Sequence, residues 1–170
     1  MRMRKGFTLI ELLIVLAIIA ALMAVVTPIA LNAVKKAKIT KVAENLRNIK
    51  SAVESYVYTQ NTLTLSDLTI DTLAQQGYLS NADLSNYGIS SVSAAGGVAY
   101  VLVYYKGTDV TLDELDDVLP GALYVYDNGD TSNDTADEKV PEASSTSLPT
   151  GKTLGTDAYV GLVVKLVQWW

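Results

Sequence analysis

Three spacings of apolar and polar residues divide the chain. From Leu12 to Val34 there are 23 residues without a charge, most of them Leu, Ile, Val or Ala. As a helix rising ~1.5 Å per residue, that run measures roughly 35 Å, enough to cross a ~30 Å hydrocarbon layer with some tilt. From Ile39 the pattern changes. Ile39, Val42, Leu46, Ile49, Val53, Tyr56 and Val57 recur at spacings of three and four, the stripe of an amphipathic helix. Lys38, Lys41, Glu44, Arg47 and Glu54 lie largely away from that stripe and can pair along the helix. The stripe breaks at Thr59-Gln60-Asn61 after about three heptads, which is short for a coiled coil. It therefore needs a partner from the rest of the chain.

The third spacing supplies one. Val98 to Tyr105 and Ala122 to Tyr126 are rich in β-formers, as is Ala158 to Trp170, and each run reads as a strand. Residues 61–97 read as a polar link. It holds a short helix capped by Ser66, with Asp67 in its first turn and Gly77 past its end, and Gly96-Gly97 marks a turn. Thr111-Leu112-Asp113-Glu114 matches a capping box, so Leu112 to Leu119 reads as a helix stopped by Pro120-Gly121. The expected fold is α+β. One long N-terminal helix, apolar in its first half and amphipathic in its second, packs on a small antiparallel sheet of about three to four strands. A continuous helix from Phe7 to about Tyr58 would be near 80 Å long, at ~1.5 Å per residue.

Two residues interrupt the apolar segment. Glu11 stands among Phe7, Leu9, Ile10 and Leu12. An ionisable group at the edge of an apolar span either sits hydrated at headgroup depth or is paired for function. Pro28 removes one backbone donor inside the helical pattern and predicts a kink or local unwinding around Met23 to Pro28.

These features carry a family resemblance. A short basic leader (Arg2, Arg4, Lys5) ends in Gly6, Phe7-Thr8-Leu9-Ile10-Glu11 follows, then the apolar run and Pro28. This arrangement closely resembles the N-terminus of type IV pilins and the pseudopilins of type II secretion systems, over about the first quarter of the chain. The resemblance implies cleavage between Gly6 and Phe7 by a prepilin peptidase, followed by N-methylation of Phe7. It implies that Glu11 pairs with the free amine of Phe7 on a neighbouring subunit, and that the zone around Pro28 can melt in a fibre. The implied division is a leader at 1–6, a transmembrane and assembly helix at 7–34, its amphipathic half at 35–60, and a globular head at 61–170. The implied partners are further copies of the chain, the peptidase, the assembly machinery and, before assembly, the inner membrane. A cleaved secretory signal would have a shorter apolar core and an A-x-A site, and no convincing one follows here.

Composition narrows the chemistry. The 170 residues include no Cys and no His, which removes disulfides, thiolates and the commonest general base and metal ligand. Many pilins tie their C-terminal region with a disulfide; here burial of one terminal Trp, Trp169 or Trp170, against the sheet would replace that anchor, and an exposed Trp pair serving as a binding patch is the competing reading. The net charge of −5 is split: residues 1–50 carry nine basic and two acidic side chains, and residues 51–170 carry four basic and sixteen acidic ones. Loss of the leader would take the total to −8. So acidic a head disfavours nucleic acid. Lysines 35, 36, 38 and 41 flank the far end of the span, so charge bias alone does not orient it; the resemblance places the leader inside and the head outside the cytoplasm.

An acidic loop, residues 127–157, opens with Asp127, Asp130 and Asp134 around Gly129. Close-set oxygen ligands on a turn can hold Ca²⁺. Glu138 falls where an EF-hand loop has its bidentate Glu, but Gly129 stands at a ligand position and Ser132 where the turn glycine belongs. A solvated acidic turn is the competing reading, and apart from this possible calcium no cofactor is expected. No phosphate-binding glycine loop or catalytic constellation is present in the sequence, so a structural subunit is expected rather than an enzyme. The alternatives are a secretion pseudopilin or minor pilin and, from another class, a non-polymerising single-pass protein with an acidic ligand-binding or Ca²⁺-binding head.

Overall fold

A computed structural model describes residues 7–60, 65, 68–80, 84–94, 98–126 and 158–167. The elements in chain order are α1 (Leu9–Gln60), α2 (Ile70–Gln75), β1 (Tyr87–Ala94), β2 (Val98–Tyr105), α3 (Leu112–Asp116), β3 (Leu123–Tyr126) and β4 (Ala158–Val167). The fold is α+β, and the chain divides into two compact units, Met1–Lys38 and Ile39–Trp170.

In the first unit every described residue, Phe7 to Lys38, is exposed. Leu9, Leu22, Ile29 and Leu31 keep 78, 61, 65 and 64% of their surfaces. An 18-residue window of α1 reaches a mean hydropathy of 3.1 with none of it buried. By length and composition it is the one membrane-crossing candidate among the described residues. Helix α1 runs through Pro28 without a break, so the local unwinding expected around Met23 to Pro28 is not present. Proline lacks the N–H that Ala24 O would accept. Beside it, the Thr27 hydroxyl donates to Met23 O at 2.7 Å, a side-chain back-bond to the carbonyl four residues earlier.

In the second unit the stripe predicted from Ile39 is the buried face of α1. Ile39, Val42, Ala43, Leu46, Ile49, Ala52, Val53 and Val57 are all buried, and Tyr56 packs against them from the edge. Their partner is a four-stranded antiparallel sheet in the order β1-β2-β4-β3. Alternation sends Ala99, Val101, Val103 and Tyr105 of β2 and Val160, Leu162, Val164 and Leu166 of β4 into the same core. The opposite face is not bare. Leu102 and Val125 are each 1% exposed yet lie outside the helix-side cluster, and on that face Tyr104 stacks on Tyr159 at 5.2 Å.

Strand β1 lies in the stretch read as a polar link, so the sheet has one strand more than the three runs legible in the sequence. It pairs with β2 from Tyr87↔Tyr105 to Ala94↔Val98. Helix α2 begins later than the Ser66 cap predicts: its cap is Thr69, whose hydroxyl accepts from Thr72 N–H at 3.1 Å. Gly77 ends it as expected, at φ +79°. There Gly77 N–H bonds Ala74 O at 3.1 Å and Tyr78 N–H bonds Leu73 O at 2.9 Å, the paired bonds of a Schellman stop. Helix α3 has the predicted capping box, with Thr111 N–H on the Glu114 carboxylate at 3.4 Å. It ends at Asp116 rather than Leu119 and passes through a turn to Gly121, at φ +91°. Arg47 of α1 donates through Nη2 to Val118 O and ties that turn to the helix.

Candidate assembly and processing site

The residues singled out at the N-terminus fall at the start of α1. Phe7 is 88% exposed. Thr8 follows and caps the helix: its carbonyl accepts from Leu12 N–H at 3.3 Å. Its hydroxyl accepts from Glu11 N–H at 3.3 Å. The Glu11 carboxylate answers through Oε2, which accepts from Thr8 N–H at 2.8 Å and from the Thr8 hydroxyl at 2.7 Å. Thr8-Leu9-Ile10-Glu11 is thus a capping box, in which two otherwise orphaned helix donors are satisfied reciprocally. A carboxylate here also faces the positive end of the helix dipole.

This arrangement explains how an acid tolerates its place beside an apolar run. One oxygen of Glu11 is engaged twice by Thr8. A carboxylate has about four lone-pair positions, so the group keeps acceptor capacity for a further donor. Thr8 was not singled out by sequence reasoning, although [S/T]-x-x-E immediately before an apolar run is the signature of such a start. The same signature was recognised at Thr111.

The other sequence candidates are not brought to this place. Pro28 lies seventeen positions beyond Glu11 on the same helix. Gly6 lies outside the described residues, as do Asp127, Asp130 and Asp134, the rest of the acidic loop, and Trp169 and Trp170. Among the described residues no group of three His, Cys, Asp or Glu side chains can hold a metal ion. One open groove of about 500 Å³ is lined by Asn48, Ser51 and Ser55 of α1 and by Tyr78 and Ser80, with no acid or base in its lining.

Residues 1–27 match the family model described as the prokaryotic N-terminal methylation motif. That motif is the class III signal peptide of type IV pilins and pseudopilins, and the likeness is to these first 27 residues. The match spans Gly6, Phe7, Thr8 and Glu11 and stops one residue before Pro28. It supports a type IV pilin-like or pseudopilin family member, and with it processing by a prepilin peptidase and a membrane-anchored precursor. It points to a structural protein rather than an enzyme. No curated protein and no solved structure matches the chain.

Proposed function

We propose that the chain is the structural subunit of a type IV pilus or pilus-like filament, polymerising through α1 once the leader is removed. The observation that carries this reading is the exposure of residues 7–38. A strongly apolar helix segment with no buried residue needs another apolar environment. The membrane supplies it to the precursor, and a bundle of identical helices supplies it in a filament. Glu11 gives such a bundle its register. Cleavage after Gly6 creates an amine on Phe7, and that amine on one subunit attracts the Glu11 carboxylate of the next in a low-dielectric interior. A mispaired register leaves both charges unpaired, which is costly in an apolar bundle.

On this reading the precursor spans the inner membrane once, with its head outside the cytoplasm, and the assembly machinery extracts it into a fibre. Such fibres serve adhesion, motility, DNA uptake or secretion. A secretion pseudopilin or a minor pilin is the alternative reading of the same N-terminal motif.

The test is the intact mass and N-terminal residue of protein sheared from cells. A chain beginning at N-methylated Phe7 and recovered in fibres supports the proposal; a chain beginning at Met1 and retained in the membrane overturns it. In parallel, Glu11→Ala should remain cleaved but disappear from the fibre fraction. A cleaved Glu11→Ala subunit that still assembles would remove the register role.

A further inference from the structure

The apolar run of α1 ends abruptly in charge: Val34 is followed by Lys35, Lys36, Ala37 and Lys38. All three lysines are exposed. At ~100° per residue they spread over roughly 160° of the helix circumference, wider than the ~100° stripe with which a helix docks on one protein face. No acid lies within a helical turn of them; the first after Glu11 is Glu44. From Leu12 to Val34 the uncharged run spans about the ~30 Å of a hydrocarbon core, so these ammonium groups start at the depth of lipid phosphates.

We propose that Lys35, Lys36 and Lys38 form a collar that binds the phosphates of anionic phospholipids where α1 leaves the membrane. The inference rests on the membrane-spanning reading of α1 given above. The depth and the spread of the charges favour a lipid surface, which surrounds a helix, over a protein partner, which meets one side of it. Each lysine also has an interaction within the chain, and a phosphate adds to that contact because an ammonium offers three donors. Long lysine stems suit the position, since they lie along apolar surface and lift the charge to the headgroups. Such a collar fixes the depth of the waiting subunit and must be stripped of lipid when the helix is drawn into a fibre.

The test uses the full-length protein reconstituted into mixed phosphatidylglycerol and phosphatidylcholine vesicles. Spin-labelled forms of each lipid report how strongly each associates with the protein. The native chain should prefer phosphatidylglycerol, and the preference should fall roughly fivefold per lysine replaced in the series Lys35→Gln, Lys36→Gln, Lys38→Gln. Equal association of both lipids with the native chain overturns the proposal, as does a preference unchanged in the triple variant. Carbodiimide cross-links from these lysines to acids of a second copy, without a lipid preference, would make the collar a subunit contact instead. Resistance to alkaline carbonate extraction is read first. A chain that is extracted fails the membrane reading itself, whereas one that resists but shows no lipid preference fails only the collar.

Discussion

Thr8 and Glu11 show how much one local pattern settles. The capping box makes three hydrogen bonds, and two of them need the Thr8 hydroxyl. Thr8→Val keeps the shape and removes that hydroxyl, so the first turn of α1 should fray by about 1 kcal/mol. In micelles the Glu11 and Leu12 amides should then exchange roughly fivefold faster, while Thr8→Ser should stay close to native; unchanged exchange in Thr8→Val would show that the cap contributes nothing. Two glycines give a second contrast. A Cβ on Gly161 would sit 2.3 Å from Val103 O, a backbone atom of the paired strand, so Gly161→Ala should cost at least about 2 kcal/mol in thermal or denaturant unfolding. Gly77 has open space around it but stands at φ +79°, so Gly77→Ala should cost about 1 kcal/mol through backbone strain alone. If the two variants melt alike, the close approach at Gly161 does not govern stability. Glu11 and Pro28 stand out in the sequence because each interrupts the apolar segment. Gly161 does not, because a lone glycine in a strand announces a bulge or a close contact without saying what it touches.

At the scale of elements, legibility followed the strength of the period. The α1 stripe and strands β2, β3 and β4 are dense in large apolar or β-branched residues, and they lie where their patterns put them. In strand β1, Tyr-Gly-Ile-Ser-Ser-Val-Ser-Ala, five of the eight residues are glycine, serine or alanine, and the strand sits at the sheet edge, bonded only to β2. Its strand character comes from pairing with β2, and tertiary pairing leaves little trace in propensity. The start of α2 moved because Ser66 and Thr69 are both competent caps, and only folding selects between them. Helix α1 is one element under two regimes, which a pair of variants can separate. Ile49 is fully buried among the core residues, so Ile49→Ala should destabilise the head by about 2–5 kcal/mol. Leu31 on the same helix is 64% exposed, and Leu31→Ala should leave head unfolding within about 0.5 kcal/mol of native. Head melting followed by near-ultraviolet circular dichroism reads both. A large shift for Leu31→Ala would mean that the apolar segment supports the head and is not simply an exposed anchor.

At the scale of the molecule, the acidic head is held by an almost uncharged interior whose polar groups include two tyrosine hydroxyls. Tyr87 and Tyr105 face each other across β1 and β2, with ring centroids 5.2 Å apart. Burial pushes both phenols above the usual tyrosine range. At Tyr87 the amide of Asn45, which donates to the phenol oxygen at 3.0 Å, opposes that push without cancelling it. The Tyr105 hydroxyl donates to Asp109 Oδ1 at 2.8 Å, a bond that needs the neutral phenol. A raised folded-state value means that the native head holds these protons where the unfolded chain has begun to lose them. Their contribution is therefore complete below about pH 10, the ordinary tyrosine value, and is lost as pH climbs through the raised folded values. Denaturant midpoints measured from pH 8 to 11.5 should be flat with respect to these two groups at first and then fall. Ionisation elsewhere on an acidic chain adds a fall of its own from charge repulsion, so the diagnostic is a difference. Tyr105→Phe, which keeps the ring and drops the titrating proton, should lie below native near neutrality by the loss of its Asp109 bond, and should decline less steeply above pH 10. A Tyr105→Phe curve parallel to native through that range would show that Tyr105 ionises alike in the folded and unfolded chains.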